Sequence, residues 1–299
     1  MNSNRKLIAH KLLSENGEII YQSLKEHSDN VAELCSEACA QIGLKYTGYL
    51  VGKIHDLGKA SDRNQEHIGL STLEKINHAS AGMRWIWENC KDQGQVYKIM
   101  AQMISLAIGC HHSGRCDYIS LDGSLPWLER MYSDQANKLY DECVENFFNE
   151  CCDEDKLKEL IRKSADEIKD LISGRLAKTM PEGANAEKNG DVVCFGLGLI
   201  QRFIFSALID ADWTDTACFV KQTGLLHIEN EKSRESIWRK ISENVESYVA
   251  HLPYRYDIDN VRKAISVQCH EAGKNMEPGI YRLYVPTGGG KTISGLRFC

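Results

Sequence analysis

An adjacent histidine and aspartate carry the most reactive chemistry that this sequence offers. His55 and Asp56 are followed by Gly58 and Lys59, so two potential metal ligands lie beside a turn residue and a cation. Glycine tolerates the left-handed conformation that a helix C-terminus needs, and we therefore expect Gly58 to end the helix that carries the pair. Lys59 would then lie at the mouth of a site for a divalent ion. A His-Asp dipeptide alone is more often an ordinary surface or packed pair.

Further histidines and aspartates stand at the ends of other apolar helical segments. Imidazole nitrogens with a bridging carboxylate suit Mn, Fe, Co, Ni or Zn better than Mg or Ca, which favour oxygen ligands. The set is too large for one tetrahedral ion and fits two ions sharing a carboxylate, which could hold a hydroxide and stabilise the leaving oxygen of a phosphodiester. The predicted ligands are His27, His55, Asp56, His78, His111, His112 and Asp212.

Two aspartates compete for the last ligand position. Asp210 and Asp212 lie two residues apart, so on a helix they face different directions and only one can ligate. We choose Asp212 and keep Asp210 as the alternative. Taken singly, any of the histidines is more often a satisfied core or surface residue than a ligand. The recurrence of the pattern on several helices is what favours a metal site.

Composition is that of an ordinary soluble globular protein. The chain has 299 residues, of which 42% are hydrophobic and 26% charged, and its net charge is -6. This charge argues against a broadly basic coat for nucleic acid but does not exclude a local basic groove. The first eleven residues lack the apolar region of a signal peptide. The 12 cysteines show no CxxC spacing, so we expect reduced thiols in a cytoplasmic protein.

Apolar residues recur at helical spacing along most of the chain. Ser28 or Asp29 would cap the first helix and Gly43 would close it. No period-two alternation occurs before residue 251, and we expect no sheet there. Helices are predicted over 27–43, 46–56, 78–87, 95–108, 192–212 and 257–272, two more between 126 and 176, and polar connections or loops over 60–77, 116–126 and 179–189.

The segment 192–212 is the most apolar part of the chain. Its length and hydrophobicity are close to those of a membrane span, but Gln201 and Arg202 interrupt it centrally. We therefore predict a buried core helix and no membrane association.

A strand and a glycine-rich loop are predicted near the C-terminus. The apolar run 280–285 lies between prolines and is typical of a strand. In the loop after it, glycines would let backbone N–H groups approach phosphates, while the lysine would reach the outer phosphates and the threonine would hold Mg²⁺. The strict phosphate-loop motif needs glycine where this chain has Val285. The predicted ATP-binding residues are Gly288, Gly289, Gly290, Lys291 and Thr292.

The order of these motifs resembles the HD superfamily of metal-dependent phosphohydrolases. His78, the His111-His112 pair and the Ala211-Asp212-Trp213 segment are similar to its CRISPR-associated nuclease branch. This resemblance covers roughly residues 24–220. The Pro-Thr-Gly-x-Gly-Lys-Thr segment resembles motif I of superfamily 2 helicases, and the two parts together look like the type I CRISPR-associated nuclease–helicase.

The resemblance implies a mainly all-α fold. An HD-domain helical bundle would span residues 1–250, and a linker helix with the truncated start of a RecA-like α/β helicase domain would span 251–299. Asp56 would bridge one or two divalent transition-metal ions, and Lys59 would contact the scissile phosphate, although a solvated surface lysine is nearly as good an interpretation. His27, His55 and Asp212 would complete one metal site, and His78, His111 and His112 the other.

The implied activity is hydrolysis of single-stranded DNA in CRISPR interference, an antiviral defence. The partner would be an effector complex with guide RNA that exposes a displaced strand. ATP and Mg would bind only in a longer protein, because a RecA-like motor also needs a carboxylate, an arginine finger and a second lobe. Two alternatives remain: a phosphohydrolase acting on nucleotides or cyclic dinucleotides, and a non-catalytic recruitment module for the effector complex. The helicase-type loop argues against the first, and the full ligand set against the second.

Overall fold

The structure is a computed structural model that describes residues 6–14, 16–70, 77–114, 117–178, 186–225, 231–277, 279 and 281–299. The protein is 72% helix and 4% strand, which confirms the predicted mainly all-α class. The helices are α1 (Leu24–Ala40), α2 (Lys45–Ile54), α3 (Asp62–Leu70), α4 (Ala79–Cys90), α5 (Gln95–Cys110), α6 (Pro126–Met131), α7 (Asp134–Glu150), α8 (Glu154–Asp170), α9 (Ala186–Lys221), α10 (Glu231–Ala250), α11 (Ile258–Asn275) and α12 (Lys291–Phe298).

Contacts divide the chain into two compact units, Met1–Ile228 and Glu229–Cys299. We predicted a boundary at residue 250, but α10 belongs to the second unit. There, Arg297 of α12 donates to both carboxylate oxygens of Glu246 in α10, each at 2.7 Å. This paired contact holds α10 against α12, so the predicted boundary falls at the end of a helix that the second unit includes.

The α1–α2 pair forms the centre of the first unit. Val31 and Cys35 of α1 and Leu50 and Ile54 of α2 are completely buried. The apolar residues of these two helices recur at helical spacing and form one buried face on each. Helix α9 packs against α1, and α4 packs against α5. Burial of these faces fixes the ends of α1, α2 and α5, where the candidate ligands lie.

An N-terminal hairpin precedes α1, although we expected no sheet in this part of the chain. Strand β1 (Ile8–Leu13) pairs antiparallel with β2 (Ile19–Ser23). A half-buried strand is recognised by alternation of buried apolar and exposed polar residues. Here apolar residues such as Leu13 and Ile19 are exposed, so the alternation is absent from the sequence. The pairing of the backbone across a short turn therefore decided this element.

The helix boundaries correct three further predictions. Helix α1 begins at Leu24, where Ser23 accepts a hydrogen bond from the Glu26 backbone N–H at 3.1 Å. Ser28 and Asp29 therefore do not cap it. The predicted polar connection contains α3, and residues 126–176 hold three α-helices followed by a π-helical segment, Leu171–Leu176, instead of two helices.

Helix α9 is buried along one face of its second half and exposed in its first half. Ile204 and Leu208 are fully buried, whereas Phe195 is 70% and Leu199 50% exposed. The span Asn189–Lys221 is long and apolar enough to cross a membrane by length and composition, a test that core helices also pass, and 17% of its most apolar window is buried. The prediction of a buried core helix therefore describes the second half alone.

The second unit contains α10, α11 and α12 but no strand among its described residues. The predicted strand 280–285 is wrong for residues 281–285, which have no regular secondary structure and no described strand partner, while Ile280 lies outside the described residues. A strand needs a neighbour for its backbone N–H and C=O groups, and no such neighbour is described in this unit. The α/β character expected for residues 251–299 is not confirmed.

Candidate metal centre

Five helices bring the predicted ligands to one place in the first unit. His27 lies in the first turns of α1, His55 and Asp56 follow α2, and His78 is the residue before α4. The remaining three come from α5 and α9. His111 and His112 directly follow α5, and Asp212 lies in the buried half of α9. All seven belong to groups of His and Asp residues that could hold a metal ion.

Asp56 lies between two sets of imidazole nitrogens. Its Oδ2 is 3.3 Å from Nε2 of His27 and 3.3 Å from Nε2 of His55. Its Oδ1 is 3.5 Å from Nε2 of His78 and 3.6 Å from Nε2 of His111. Each carboxylate oxygen therefore faces one set of histidines, which is the arrangement of a bridging ligand.

The geometry separates the two competing aspartates. Asp212 is 6% exposed, and its Oδ1 lies 3.3 Å from Nε2 of His27 and 3.8 Å from Nε2 of His55. Asp210 is exposed on the other side of the helix. Asp212 is therefore the aspartate that shares the first set of histidines with Asp56.

Hydrogen bonds at the opposite ring nitrogen fix how three of the histidines point. Nδ1 of His55 donates to the Gly52 carbonyl at 2.7 Å, and Nδ1 of His111 donates to the Ile108 carbonyl at 2.5 Å. Nδ1 of His27 donates to Asp215 Oδ2 at 2.6 Å. With the proton on Nδ1, each Nε2 carries a lone pair and can bind a metal.

Those three Nε2 atoms are buried and have no hydrogen-bond partner among the described residues, and the same holds for Oδ1 of Asp56. Burying polar atoms without partners is costly, and cations bound within the cluster would satisfy all four. The donor set of imidazole nitrogens and carboxylate oxygens thus fits a metal ion, and the buried clusters could hold one.

The charges around Asp56 favour its ionised form. Burial by itself raises the pKa of Asp56, but Lys59 and His55 outweigh burial and hold that pKa well below the usual range. Burial likewise raises the pKa of Asp212, but the neighbouring His27 lowers it overall. Burial lowers the pKa of His27, yet the neighbouring carboxylates of Asp212, Asp215 and Asp56 raise it to about 10. Without a bound cation, a proton on His27 therefore balances the negative charge of these carboxylates.

Two histidines of the second set, His78 and His112, have lowered pKa values. Burial lowers the pKa of His78 to about 3, and burial together with the charge of His111 lowers that of His112 to about 4. His112 is exposed, and its ring lies 3.8 Å from that of His111 and 4.8 Å from that of His78, measured between centroids. The cluster therefore opens to solvent at His112.

Gly58 does not end a helix as we expected. It lies within a 3₁₀ segment, Leu57–Ala60, and its φ is not positive. A Cβ at this position would lie 2.1 Å from the His78 carbonyl oxygen. The missing side chain therefore lets the start of α4 approach the His-Asp pair. Lys59 follows in the same segment, with its Nζ 2.6 Å from Oδ2 of Asp56.

Two residues of the centre escaped the sequence prediction. Asp215, which is 2% exposed, accepts from Nδ1 of His27, from Nε2 of Gln22 at 2.8 Å and from Nδ2 of Asn30 at 2.6 Å. Its position three residues after Asp212, on the same face of a helix, was a usable signal. His10 of β1 groups with His27 and Asp212. No spacing in the sequence pointed to it, because the hairpin was not predicted.

A cavity of about 500 Å³ lies elsewhere, and none of the seven predicted ligands lines it. Its walls include Lys25 and Asp29 of α1 and Lys53 of α2. Each of these lies two residues from His27 or His55, on the opposite side of its helix. The cavity and the metal cluster therefore occupy opposite faces of the α1–α2 pair.

The glycine-rich loop of the second unit forms a turn that leads into α12. Gly288 and Gly290 both have φ of +83°, which residues with a side chain rarely adopt. Lys291 and Thr292 open the helix and are exposed, so backbone N–H groups of its first turn face solvent. The structure thus shows a glycine turn before a helix N-terminus, without a preceding strand among the described residues; its binding of ATP stays a prediction.

No protein-family model matches the chain, and no curated protein matches it. What the geometry defines is a class of site: a buried cluster of histidines and aspartates, contributed by five helices of a helical bundle, that could hold a metal ion.

Proposed function

We propose that this chain is a metal-dependent phosphohydrolase of the HD type that cleaves single-stranded DNA in CRISPR interference. The observation that carries the proposal is the position of Asp56, whose two carboxylate oxygens each face a pair of histidine Nε2 atoms at 3.3–3.6 Å. A carboxylate between two sets of ligands is what a site for two ions requires.

In this proposal, the residues divide into two sets around Asp56. His27, His55 and Asp212 would hold one ion, and His78, His111 and His112 would hold the other. The imidazole-rich donor set favours Mn, Fe, Co, Ni or Zn over Mg. A bound divalent ion supplies Lewis acidity and lowers the pKa of water. Lys59, with its ammonium beside Asp56, contacts the scissile phosphate and balances charge that develops on it.

The choice of DNA over a small nucleotide rests on the second unit. The turn at 288–290 and the helix that begins at Lys291 present backbone donors suited to a phosphate. A helicase-type phosphate loop in the same chain as a nuclease would serve to move a polymeric substrate, which a small-molecule substrate does not require. The proposed partners are single-stranded DNA and a CRISPR effector complex with guide RNA in the cytoplasm, with ATP and Mg required only by a complete motor.

A nuclease assay with controlled metal tests the proposal. Metal-stripped protein is given labelled single-stranded DNA, and Mn²⁺, Ni²⁺, Co²⁺ or Mg²⁺ is added back. We expect a transition-metal ion to restore cleavage, and Asp56→Ala to reduce it at least a hundredfold because both ligand sets lose their shared carboxylate. Asp210→Ala, which removes an exposed carboxylate near the site, is the matched control and should cleave at the wild-type rate.

Absence of cleavage with every ion, in protein that elemental analysis shows to contain metal, would contradict the nuclease proposal. Hydrolysis of nucleotides or cyclic dinucleotides by the same protein would then identify a small-molecule phosphohydrolase. Binding to an effector complex without any hydrolysis would identify a recruitment module.

A further inference from the structure

An irregularity in the hairpin turns His10 toward the metal centre. Ile8 pairs with Ser23 and His10 pairs with Gln22, so Ala9 is an extra residue that bulges between the two pairs. Leu7 and Ala9 are both buried, as alternation requires, and after the bulge the half-buried His10 lies against the buried ring of His27. Bulges of this kind often re-aim a side chain beside an active site.

His10 lies against two residues of the candidate centre. Its ring meets that of His27 edge-on, with centroids 4.6 Å apart. The ligand atoms of His10, His27 and Asp212 all lie within 4.8 Å of one another. Two ligands at about 2.1 Å from one ion can be up to about 4.2 Å apart, so a small side-chain adjustment would let all three bind the same ion.

The strand opposite His10 also serves the centre. Gln22 is 3% exposed and donates to Asp215, the carboxylate that accepts the Nδ1 proton of His27. The paired residues of the hairpin therefore both lie near the same imidazole: Gln22 acts on Nδ1 through Asp215, and the ring of His10 lies beside that of His27. A hairpin that only covered the bundle would not need polar residues at a buried and a half-buried position that face the cluster.

We propose that His10 is a further metal ligand, which binds the ion held by His27 and Asp212. This inference rests on the proposed metal centre and adds an eighth residue to it. The ion on this side would then be held by elements from the hairpin, α1, α2 and α9, whereas the ion at His78 and His111 depends on α2, α4 and α5. Loss of His10 should weaken one side of the centre selectively.

Replacement of His10 by cysteine tests direct ligation by a readout other than activity. Full-length His10→Cys, stripped of metal, is titrated with Co²⁺. A thiolate bound to Co²⁺ gives an intense near-ultraviolet charge-transfer band, which appears only when sulfur contacts the ion. We expect this band in the difference spectrum against the wild-type protein. Leu13→Cys, which places a thiol on the exposed face of the same strand, is the matched control and should give no such band.

A second variant, His10→Gln, preserves the size and polarity of the side chain but is a poor ligand for transition metals. We expect Co²⁺ affinity on one of two sites to fall tenfold or more by calorimetry, with an unchanged circular dichroism spectrum of the metal-free protein. Wild-type affinity in His10→Gln, or absence of the band in a folded His10→Cys, would overturn the inference.

The outcomes separate this inference from the proposed centre itself. If wild-type protein binds Co²⁺ and Asp56→Ala does not, while both His10 variants behave like wild type, the centre stands and the role of His10 is refuted. If wild-type protein binds no Co²⁺, both proposals fail together.

Discussion

His27 makes contacts at both ring nitrogens. Its ability to bind a metal therefore depends on its neighbours as well as on the imidazole itself. Nδ1 donates to Asp215, while Nε2 faces Asp56 and Asp212. An acceptor at Nδ1 keeps the proton there and leaves Nε2 free to ligate. The same logic applies at His55 and His111, whose Nδ1 atoms donate to backbone carbonyls three residues earlier.

Asp215→Asn should therefore weaken metal binding without removing a ligand. An asparagine amide can donate to Nδ1 of His27, which would move the ring proton to Nε2 and block ligation. We expect a 10- to 100-fold loss of Mn²⁺ or Co²⁺ affinity by calorimetry, as is typical for a residue that orients a ligand. Asp210→Asn on the same helix serves as the control. Equal affinities in the two variants would contradict this role for Asp215.

At the scale of elements, close backbone approach decides where the ligands meet. The 3₁₀ segment Leu57–Ala60 places Gly58 against the backbone of His78. The Asn64 side chain also donates from Nδ2 to the Gly58 carbonyl at 2.8 Å, which holds the segment against α3. The start of α4 and the end of α2 are thereby brought close enough for His78 and Asp56 to lie 3.5 Å apart.

Gly58→Ala should disturb both stability and metal binding. The added methyl group would lie 2.1 Å from a backbone oxygen, which cannot move aside as a flexible side chain can. We expect a loss of about 1–3 kcal/mol in the free energy of unfolding, as for other overpacked sites. Denaturant titration measures it, and Gly69→Ala in α3, where a Cβ meets no atom within 4 Å, is the control. A Gly58→Ala protein as stable as this control would show that the segment can relax.

At the scale of the whole molecule, the candidate centre belongs entirely to the first unit. Every candidate ligand lies before Ile228, and the second unit carries the glycine-rich loop. The first unit could bind a metal ion, and the second unit carries the loop for which we predicted ATP binding. Binding of metal and of nucleotide should therefore stabilise different parts of the chain.

Metal binding should protect the first unit from hydrogen exchange and leave the second unit unchanged. A ligand at a hundred times its Kd stabilises the folded state by about 2.7 kcal/mol. We expect slower exchange in α1, α2, α4, α5 and the second half of α9 on addition of Mn²⁺, followed by mass spectrometry, and no change in α10, α11 and α12. Asp56→Ala should abolish the effect. Protection that appears mainly in α10–α12 would contradict this assignment.

The sequence alone predicted the helical class and the His and Asp residues of the cluster, because both predictions depend on the local pattern of residue types. Apolar residues at helical spacing define α1, α2 and α5, and burial of one face follows from that spacing. Histidine and aspartate at the ends of such helices are unusual enough to indicate a metal site. From these side chains we predicted a transition-metal ion, and the identity of the ion stays a prediction.

The tertiary structure decided what depends on contacts between distant parts of the chain. Asp212 rather than Asp210 faces His27, because α9 packs against α1 with that side inward. His10 lies beside the centre because of a bulge in the strand pairing. Gly58 lets the backbone of His78 pack closely because it has no side chain. The run 281–285 shows the converse: its composition is typical of a strand, but without a described neighbour to bond, its backbone stays unpaired.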